Sequence, residues 1–495
     1  MPLDVVILAA GKGTRMRSAL PKVLQPLGGK PMLCHVTDTA AQLKAARVHV
    51  VVGDGAERVQ ALYAEQGGDA KAVNWVVQAE QLGTGHAVQQ ALPHLAGGGE
   101  SKSKSKSKGK EDVTLVLYGD VPLMALETLA DMVRLAEAGS MALLTVLTDS
   151  PAGLGRILRD GGSDKDTITG IVEDKDASPA QKKINEINAG PMAIPTARLK
   201  GWLDKLDNKN AQSEYILTHT VALAVAEGYP VTATVVEDGP ELLGVNDKQQ
   251  LARLERFYQN RKAEQLMQAG VTLRDPARLD VRGTLTCGQE VEIDVNVLCE
   301  GEVRLGNRVF VAAGAVLKNC TVADDAVIGA NAIVKDSTLS EGAQILEGSQ
   351  LDGAEVGRNA RVGPMARIRP GTVLAEDVRI GNFVETKNAK IGKGSKANHL
   401  TYIGDAIIGE GCNIGAGVVF CNFDGASKHR TTLGNNVFVG SNSVLVAPLT
   451  LANNSFIAAG SSITEAVPTD NLAVARGKQR NITGWQRPGD SKCAE

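Results

Sequence analysis

The sequence predicts two folded regions of different classes joined by one long helix. Residues 1–248 alternate apolar β-type runs with helical stretches, which favours an α/β domain with a mostly parallel sheet. Residues 249–269 are rich in Lys, Arg, Gln, Glu and Leu and lack Pro, as expected of a helical linker. Over residues 270–495 aliphatic residues recur every six positions until a polar tail after Arg476, which predicts a parallel β-helix of hexapeptide repeats.

The first region carries six candidate strands. They are Val5–Ala10, Val48–Val52, Trp75–Val77, Val113–Leu117, Met141–Leu147 and Val231–Val236. Helical patterns lie between them, most clearly at Pro31–Leu43 and Leu126–Ala138. This order predicts a Rossmann-like sheet covered by helices, whose ligands bind beyond the carboxyl ends of the strands. The loops that follow the strands are therefore the first places to search for a site.

The six-residue rhythm sets the architecture of the second region. It begins at Val291, Val297, Val303 and Val309 and continues, with one disturbed stretch, as far as Ile463. Neither a helix nor a simple strand has a period of six, but a coil that turns a corner every six residues does. One aliphatic side chain per side then points inward. Aromatic residues are only 3% of the chain, so the core must be built from Val, Ile, Leu and Ala, which suits a stacked solenoid.

Charge and cysteine content exclude several classes of protein. The formal net charge of −3 argues against a broad surface for nucleic acid or for an anionic membrane. The apolar run Val5–Ala10 is too short to span a membrane and lacks the basic flank of a signal peptide, so it is expected to be a buried strand. Seven cysteines without a CxxC pair predict free thiols in a reducing compartment, the cytoplasm.

One low-complexity insert interrupts the first region. Glycines at 97–99 are followed by Ser-Lys repeats as far as Lys108, and the whole insert spans 97–112. Such a composition cannot bury a core, and loop-closure cost grows slowly with length, so a solvated surface loop is expected. A site for an anionic partner is the alternative.

A glycine turn follows the first predicted strand. Gly11-Lys12-Gly13-Thr14-Arg15 brings small residues to the strand end, where backbone N–H groups can approach phosphate oxygens. Arg15 and Lys22 add positive charge for a polyphosphate. On its own this signal is weak, because it matches neither the GxGxxG pattern nor the GxxxxGK[ST] loop.

Further motifs give this turn a context. Leu8–Met16 with Pro21-Lys22 resembles the signature of nucleoside-diphosphate-sugar pyrophosphorylases, and Gln78–His86, Tyr118-Gly119-Asp120 and Gly244-Val245-Asn246 agree with it. Together with the hexapeptide region, they resemble the bacterial bifunctional family of N-acetylglucosamine-1-phosphate uridyltransferase and glucosamine-1-phosphate acetyltransferase. The resemblance spans nearly the whole chain. It implies that the first region is a nucleotidyltransferase and that the β-helix is left-handed.

The resemblance implies a uridyl-transfer site at the strand ends of the first region. It assigns Mg²⁺ to Asp120 and Asn246, oxygen ligands of the kind that this cation prefers. Glu173, Asn188 and Gly155 match sugar contacts, in motifs that would otherwise be taken for turn glycines and surface polar residues. The remaining nucleotide and sugar positions are Leu8, Ala9, Ala10, Gly11, Arg15, Lys22, Gln78, Gly83, Thr84, Tyr118 and Gly119.

A second site is indicated where the hexapeptide rhythm is disturbed, between Ile380 and Leu433. Polar residues gather there although a solenoid does not need them for stability, and loops on a rigid scaffold are where function tends to lie. His399 is the ordinary candidate for a base near neutral pH in this stretch. Arg369 and Lys387 can hold a sugar phosphate.

The resemblance gives roles to this second group. His399 becomes the base of acetyl transfer, and the glucosamine 1-phosphate contacts are Arg369, Lys387, Tyr402 and Asn413. The acetyl-CoA positions are Ala416, Asn422, Phe423, Ser441, Ala459 and Arg476. Phe423 departs from the family, which commonly has Tyr there. Members of the family are homotrimers with the acetyl-CoA site between neighbouring copies, so the same assembly is expected here.

The implied function is the synthesis of UDP-N-acetylglucosamine, a precursor of peptidoglycan and lipopolysaccharide. Acetyl-CoA would acetylate glucosamine 1-phosphate in the second region, and UTP would react with the product in the first. Two alternatives stay open. One is a single-activity pyrophosphorylase whose β-helix serves assembly or regulation, and the other is an inactive sugar-nucleotide sensor.

Overall fold

A computed structural model describes residues 2–53, 55–96, 111–160, 167–237, 239, 242, 244–485 and 487. The chain divides into two compact units, Met1–Arg261 and Lys262–Glu495. The Ser-Lys repeats of the insert lie outside the described residues, as does the end of the C-terminal tail. Among the described residues, no helix combines the length and the apolar character that a membrane span requires.

The first unit is built on a mostly parallel sheet. Its central path runs, in spatial order, through Val231–Val236, Met141–Leu147, Glu186–Pro195, Val113–Tyr118, Leu3–Leu8, Arg47–Val52 and Asn74–Val77. All six predicted strands are in it, and the first of them ends at Leu8 rather than Ala10. Glu186–Pro195 runs antiparallel to both its neighbours and also pairs with Arg156–Arg159, which in turn pairs with Ile168–Val172.

Helices cover both faces of this sheet, as predicted. Consecutive residues of the first strand alternate between two apolar clusters, with Val5 and Ile7 in one and Val6 in the other. The α-helices are Met32–Gln42, Ala56–Glu65, Thr84–Ala91, Leu126–Glu137, Thr196–Leu203, His219–Ala226 and Lys248–Gln268. Short 3₁₀ turns lie at Thr14–Met16, Lys22–Leu24, Leu92–His94 and Gln181–Lys183 in this unit and at Pro276–Arg278 in the second unit. A small hairpin pairs Pro26–Leu27 with Lys30–Pro31.

The register of the central strands positions the first site. Leu8 pairs with Tyr118 on one side and with Val51 on the other. Because parallel strands end at the same edge, the glycine turn after Leu8 lies beside Gly119 and Asp120. The backbone N–H of Gly119 donates to the carbonyl of Leu8 over 2.9 Å.

The second unit is a parallel β-helix, as predicted; the left hand of the coil stays a prediction. One sheet of 12 strands contains Thr272–Leu273, Glu292–Ile293, Phe310–Val311, Val327–Ile328, Gln344–Ile345, Arg361–Val362, Arg379–Asn382, Lys396–His399, Asn413–Ile414, Phe438–Val439, Phe456–Ile457 and Leu472–Ala473. A sheet of 16 strands contains Leu279–Cys287, Val297–Leu305, Val316–Val322, Ile333–Lys335, Thr338–Leu339, Gln350–Asp352, Ala354–Val356, Arg367–Ile368, Thr372–Leu374, Glu385–Ile391, Tyr402–Ile408, Val419–Cys421, Thr431–Leu433, Val444–Val446, Leu449–Leu451 and Ser462–Ile463.

The rhythmic aliphatic residues form the core of this coil. Val291, Val303, Ile328, Ile345 and Val362 are each at most 1% exposed and belong to one continuous cluster. Their burial explains the period, because each side of a coil contributes one inward side chain. The six described cysteines are free thiols.

One coil is longer than those around it. Hydrogen-bonded neighbours in adjacent coils are 17 residues apart at Glu376 and Lys393, but 25 apart at Glu410 and Asn435. The additional residues form an excursion between Cys421 and Thr431, where the sequence rhythm is disturbed. The excursion carries Asn422, Phe423 and Lys428 at the edge of the second candidate site.

Candidate active sites

A cavity of about 300 Å³ opens at the strand ends of the first unit. The backbone of the glycine turn forms one wall. Gln81, which was not among the predicted site residues, donates from Nε2 to the carbonyl of Ala10 over 2.7 Å and so holds the turn in place. Predicted nucleotide residues in the lining are Leu8, Ala9, Ala10, Gly11, Lys22, Gln78, Gly83, Thr84, Tyr118 and Asp120.

The segment Gln78–Thr84 closes this cavity from the other side. Gln78 is buried and donates from Nε2 to the carbonyl of Gly83 over 3.1 Å. Gly83, which precedes a helix, has a φ of 114°. A Cβ at this position would lie 2.5 Å from the carbonyl oxygen of Tyr215. Only glycine fits such a conformation and such a close approach. Thr84 Oγ1 accepts from the backbone N–H of Leu217 over 3.0 Å.

Four polar side chains meet at the mouth of the cavity. Lys22 Nζ lies 2.5 Å from Asp120 Oδ2 and 3.4 Å from Asn246 Oδ1, and both ends of the ion pair are largely buried. Arg15 donates to the same Asn246 oxygen over 2.9 Å. The ammonium group thus lies between the two predicted metal ligands, where a cation is stabilised. The residues fit Mg²⁺, which binds through one or two protein oxygens and keeps several waters.

Two contacts hold Asn246 beside Asp120. The backbone N–H of Val245 donates to the carbonyl of Asp120 over 3.0 Å, and the backbone N–H of Asn246 donates to Gln250 Oε1 over 2.7 Å. Within the described part of the chain, no cluster of three or more His, Cys, Asp or Glu side chains offers a metal site. A carboxylate and an amide are the donor set available here.

A larger cavity, of about 710 Å³, adjoins the first. Its lining contains the three predicted sugar residues Gly155, Glu173 and Asn188. The two linings have four residues in common: Thr84, Tyr118, Asp120 and Glu214. Burial, with a smaller contribution from Glu173, raises the pKa of Tyr118 and keeps its hydroxyl neutral.

Residues that the sequence did not single out support the sugar side. Thr218 Oγ1 donates to Glu173 Oε1 over 2.7 Å and so orients that carboxylate. Arg156 is 1% exposed and binds both the carbonyl of Leu154 and, over 2.9 Å, Asp174. It therefore joins the two loops that carry Gly155 and Glu173. The sequence shows only an arginine after Gly155, and its partner lies 18 residues further along the chain.

In the second unit, His399 lies at a corner of the coil. Its Nδ1 is 2.9 Å from Asn382 Oδ1, and the two residues are register partners in adjacent coils. A carboxamide oxygen only accepts, so Nδ1 carries the proton and the lone pair resides on Nε2. This tautomer leaves Nε2 able to act as a base. Asn382 was not among the predicted site residues, although it lies one coil before His399.

In the coils that follow His399, small residues occupy the position equivalent to it. Ala397 pairs with Ile414, which makes Ala416 the equivalent of His399 in the next coil. Ser441 and then Ala459 occupy the same position in the next two coils. In each case the backbone N–H of the residue that follows donates to the carbonyl of the preceding member of the row. Arg476 donates to the carbonyl of Ala459 over 2.7 Å. Four predicted acetyl-CoA residues therefore form a row that starts at His399.

Three cationic side chains, Arg369, Lys387 and Lys428, lie together on the coil face that adjoins the His399 corner. A side-chain contact with Lys428 lowers the pKa of Lys387, and the charge of Arg369 lowers it further. Arg369 also pairs with Glu385 over 2.7 Å. Such a cluster can bind a phosphate group. Lys428 lies in the excursion, outside the repeat pattern, so the sequence did not single it out.

Asn422 connects this cluster to a corner of the coil. Its Nδ2 donates to Asp405 Oδ2 over 2.5 Å and lies 3.5 Å from the hydroxyl of Tyr402. Gly404 makes this approach possible, because a Cβ there would lie 2.4 Å from the Tyr402 hydroxyl and 2.7 Å from Asn422 Nδ2. The neighbouring Phe423 is 60% exposed and lacks the hydroxyl that the family commonly has.

The structure does not bring Asn413 onto the face of the other residues predicted to bind glucosamine 1-phosphate. Asn413 belongs to the sheet of 12 strands, paired with Lys396 and Phe438, whereas Lys387 and Tyr402 belong to the other sheet. Next to Asn413, the exposed rings of Phe438 and Phe456 stack with centroids 4.3 Å apart. This apolar strip on the Asn413 sheet has no counterpart in the sequence analysis.

Comparison with known proteins agrees with both units. Residues 5–202 match the family described as a MobA-like NTP transferase domain, and residues 353–467 match the one described as a GMPPB C-terminal domain. The bifunctional protein GlmU of Marinobacter nauticus is 50% identical over 487 residues, which are 98% of this chain and 99% of that protein. Proteins with the same name from Stutzerimonas stutzeri and a Pseudomonas putida strain are 51% and 50% identical over 488 residues, 99% of each chain.

A nucleotidyltransferase unit followed by a hexapeptide-repeat unit defines a class of bifunctional transferases. Within that class the chain belongs to the family of the bifunctional protein GlmU. It is an enzyme of UDP-N-acetylglucosamine synthesis, with uridyltransferase activity in the first unit and glucosamine-1-phosphate acetyltransferase activity in the second. The family membership favours this conclusion over the single-activity and sensor alternatives.

Proposed function

We propose that the two adjoining cavities of the first unit hold the two substrates of uridyl transfer. UTP would bind against the glycine turn, with Gln78 and Gly83 against its uracil base and with Lys22 and Arg15 on its phosphates. N-Acetylglucosamine 1-phosphate would bind in the larger cavity, against Glu173. The observation that carries this proposal is the lining that both cavities share, because two ligands placed there meet at Asp120.

Lys22, Asp120 and Asn246 perform the central steps of this proposal. Asp120 and Asn246 would hold Mg²⁺, which supplies positive charge at the α-phosphate when bound. Lys22 then moves from Asp120 to the phosphate oxygens of UTP. An oxygen of the sugar phosphate attacks the α-phosphorus, a new P–O bond forms, and the bond to pyrophosphate breaks. The side chains contribute position and charge stabilisation rather than covalent chemistry.

In the second unit, we propose His399 as the base of acetyl transfer. Arg369, Lys387 and Lys428 would bind the phosphate of glucosamine 1-phosphate and direct its amine towards His399. The amine nitrogen attacks the thioester carbonyl, the C–N bond forms and the C–S bond breaks. His399 Nε2 takes the amine proton and passes it to the CoA thiolate. A base positioned in this way contributes about 10²- to 10⁴-fold to the rate.

The row Ala416, Ser441 and Ala459 would accommodate acetyl-CoA. Its small side chains leave the backbone open to an extended ligand, and Arg476 lies at the far end for a CoA phosphate. His399 lies at the near end, where the thioester must be. Phe423 keeps a ring for apolar contact with the ligand and provides no hydrogen bond.

The proposed assembly is a homotrimer in the cytoplasm, with each acetyl-CoA site completed by a neighbouring copy. Two observations support it. Asn413 lies on a different sheet from Tyr402, so a second copy supplies it more readily to the site. The exposed Phe438 and Phe456 beside it form an apolar strip of the kind that a subunit interface covers.

Reciprocal loss of the two activities is the expected test result. His399→Ala slows release of CoA thiol from acetyl-CoA and glucosamine 1-phosphate by about 10²- to 10⁴-fold, because the amine proton loses its positioned acceptor. It leaves pyrophosphate release from UTP and N-acetylglucosamine 1-phosphate unchanged. Asp120→Ala has the opposite effect, since only the first unit loses its cation ligand.

Both variants are compared in the same two assays, with thermal unfolding as a control for folding. Normal thiol release by His399→Ala would refute the role of this histidine. Normal pyrophosphate release by Asp120→Ala would refute the metal site.

A further inference from the structure

Asp405 lies at a corner of the coil beside the acetyl-transfer site. Each of its carboxylate oxygens accepts from a different amide: Asn388 Nδ2 donates to Oδ1 over 2.6 Å, and Asn422 Nδ2 donates to Oδ2 over 2.5 Å. Asn422 is 9% exposed, so its amide has little access to water. The contact with Asp405 is therefore a major constraint on that side chain.

An ionised carboxylate accepts hydrogen bonds and donates none. The amide of Asn422 can consequently place only its Nδ2 against Asp405, and its Oδ1 must point away. The opposite orientation would set two acceptors against each other at hydrogen-bond distance. Asp405 thus determines which end of the Asn422 amide faces the site. The amino-acid sequence alone does not reveal this orientation.

We propose that Asp405 is a positioning residue for acetyl transfer, acting through Asn422. It keeps Asn422 Oδ1 towards the reacting groups, where this oxygen accepts an N–H of the acceptor amine. An amine held through its N–H keeps its lone pair free for the thioester carbon. An Nδ2 group in the same place would donate to that lone pair and block the attack. The inference rests on the site proposed around His399.

The charge of Asp405 has a second consequence, for binding of the phosphate. Its carboxylate interacts electrostatically with Lys428 and Lys387 of the cationic cluster. Removing the negative charge leaves that cluster more positive. A variant without the charge should therefore bind glucosamine 1-phosphate no more weakly, even though its amine is held incorrectly.

The chain contains a matched control at the same corner position of another coil. Asp336 also has a left-handed backbone, with φ 46° against 49° for Asp405, and accepts from Asn319 Nδ2 over 3.1 Å. It has a lysine neighbour as well, Lys335 at 3.5 Å. It does not belong to the site. Asp336→Asn therefore measures what the corner carboxylate contributes to folding.

Asp405→Asn is the decisive variant, because asparagine keeps the shape and tolerates the backbone conformation. The expected result is a fall in kcat for acetyl transfer of about 10- to 100-fold, with KM for glucosamine 1-phosphate unchanged or lower. Asp336→Asn should leave both constants unchanged, and neither variant should alter uridyl transfer. The swap Asp405→Asn with Asn422→Asp restores an acceptor oxygen towards the amine and should recover part of kcat.

Two results would overturn the inference: an unchanged kcat in Asp405→Asn, whatever its KM, or an equal loss of kcat in Asp336→Asn. His399→Ala is measured alongside. If it keeps full activity, the proposed site itself is wrong, whereas a strongly slowed His399→Ala with a fully active Asp405→Asn contradicts only the role of Asp405.

Discussion

Gly404 lies where any side chain would collide with both Tyr402 and Asn422. The nearest approaches of a Cβ, 2.4 Å and 2.7 Å, are far below ordinary contact. Both neighbours must therefore shift if the residue changes. The backbone of Gly404 is not in the left-handed region, so the steric effect can be measured without backbone strain.

Gly404→Ala should lower kcat/KM for acetyl transfer by about 100-fold, because displacement of a reacting group by about 1 Å has that effect. Uridyl transfer should not change. Gly477→Ala is the control, since a Cβ there meets nothing within 4 Å. Equal activities of the two alanine variants would show that Tyr402 and Asn422 are not needed in their observed positions.

At the residue scale, the sequence revealed candidate side chains with distinctive chemistry. It did not reveal those whose importance depends on their neighbours in the fold. His399, Asp120 and Lys22 were singled out because their chemistry is distinctive. Asn382 and Asp405 were not, because ordinary polar residues at corners of a solenoid look alike until the register is known. Lys428 was missed since the excursion breaks the count that relates one coil to the next.

Among the elements, the excursion that carries Asn422 and Phe423 is held by a local hydrogen-bond network. Asp424 Oδ1 accepts from the backbone N–H groups of Ser427 and Ala426 over 2.6 and 2.8 Å. Its other oxygen lies 2.6 Å from His429 Nε2. These hydrogen bonds, the one from Ser427 first, lower the pKa of Asp424, so the carboxylate stays ionised through the neutral range.

Asp424→Ala should raise KM for acetyl-CoA by about 10-fold with a smaller effect on kcat, because lost hydrogen bonds leave the excursion less ordered. Asp424→Asn keeps an acceptor for both N–H groups and should behave more like the parent enzyme. Steady-state kinetics with varied acetyl-CoA distinguish the two. A normal KM in the alanine variant would mean that the excursion does not need this turn.

The predictability of elements followed their periodicity. The strands of the coil were predicted because each inward aliphatic residue repeats the last. Glu186–Pro195 was missed because Gly190 and two prolines break its pattern, and its register shifts between Asn188 and Met192. A strand with such a register shift loses the regularity by which a sequence reveals it.

At the scale of the whole molecule, the proposed trimer connects an exposed surface to an activity. The apolar strip of Phe438 and Phe456 is on the same sheet as Asn413. If a neighbouring copy covers the strip, the same contact brings Asn413 to the site. Assembly and acetyl transfer should then be lost together.

Phe438→Asp should convert the trimer to smaller species and abolish acetyl transfer, while uridyl transfer continues. Ile407→Asp is the matched control, because Ile407 is also 36% exposed but belongs to the other sheet. Sedimentation velocity and both activity assays are run on each variant. A fully active monomer of Phe438→Asp would contradict the shared site.

The row from His399 to Arg476 has a property that ordinary pockets lack. Stacked strands repeat every 4.8 Å or so, so its four steps span about 19 Å. Substitutions can change the chemistry along the row, but they cannot alter this length gradually, because it grows or shrinks only by whole coils. If acetyl-CoA binds along the row as proposed, the solenoid specifies the reach of that ligand in discrete units, and a longer or shorter acyl carrier would require one repeat more or fewer.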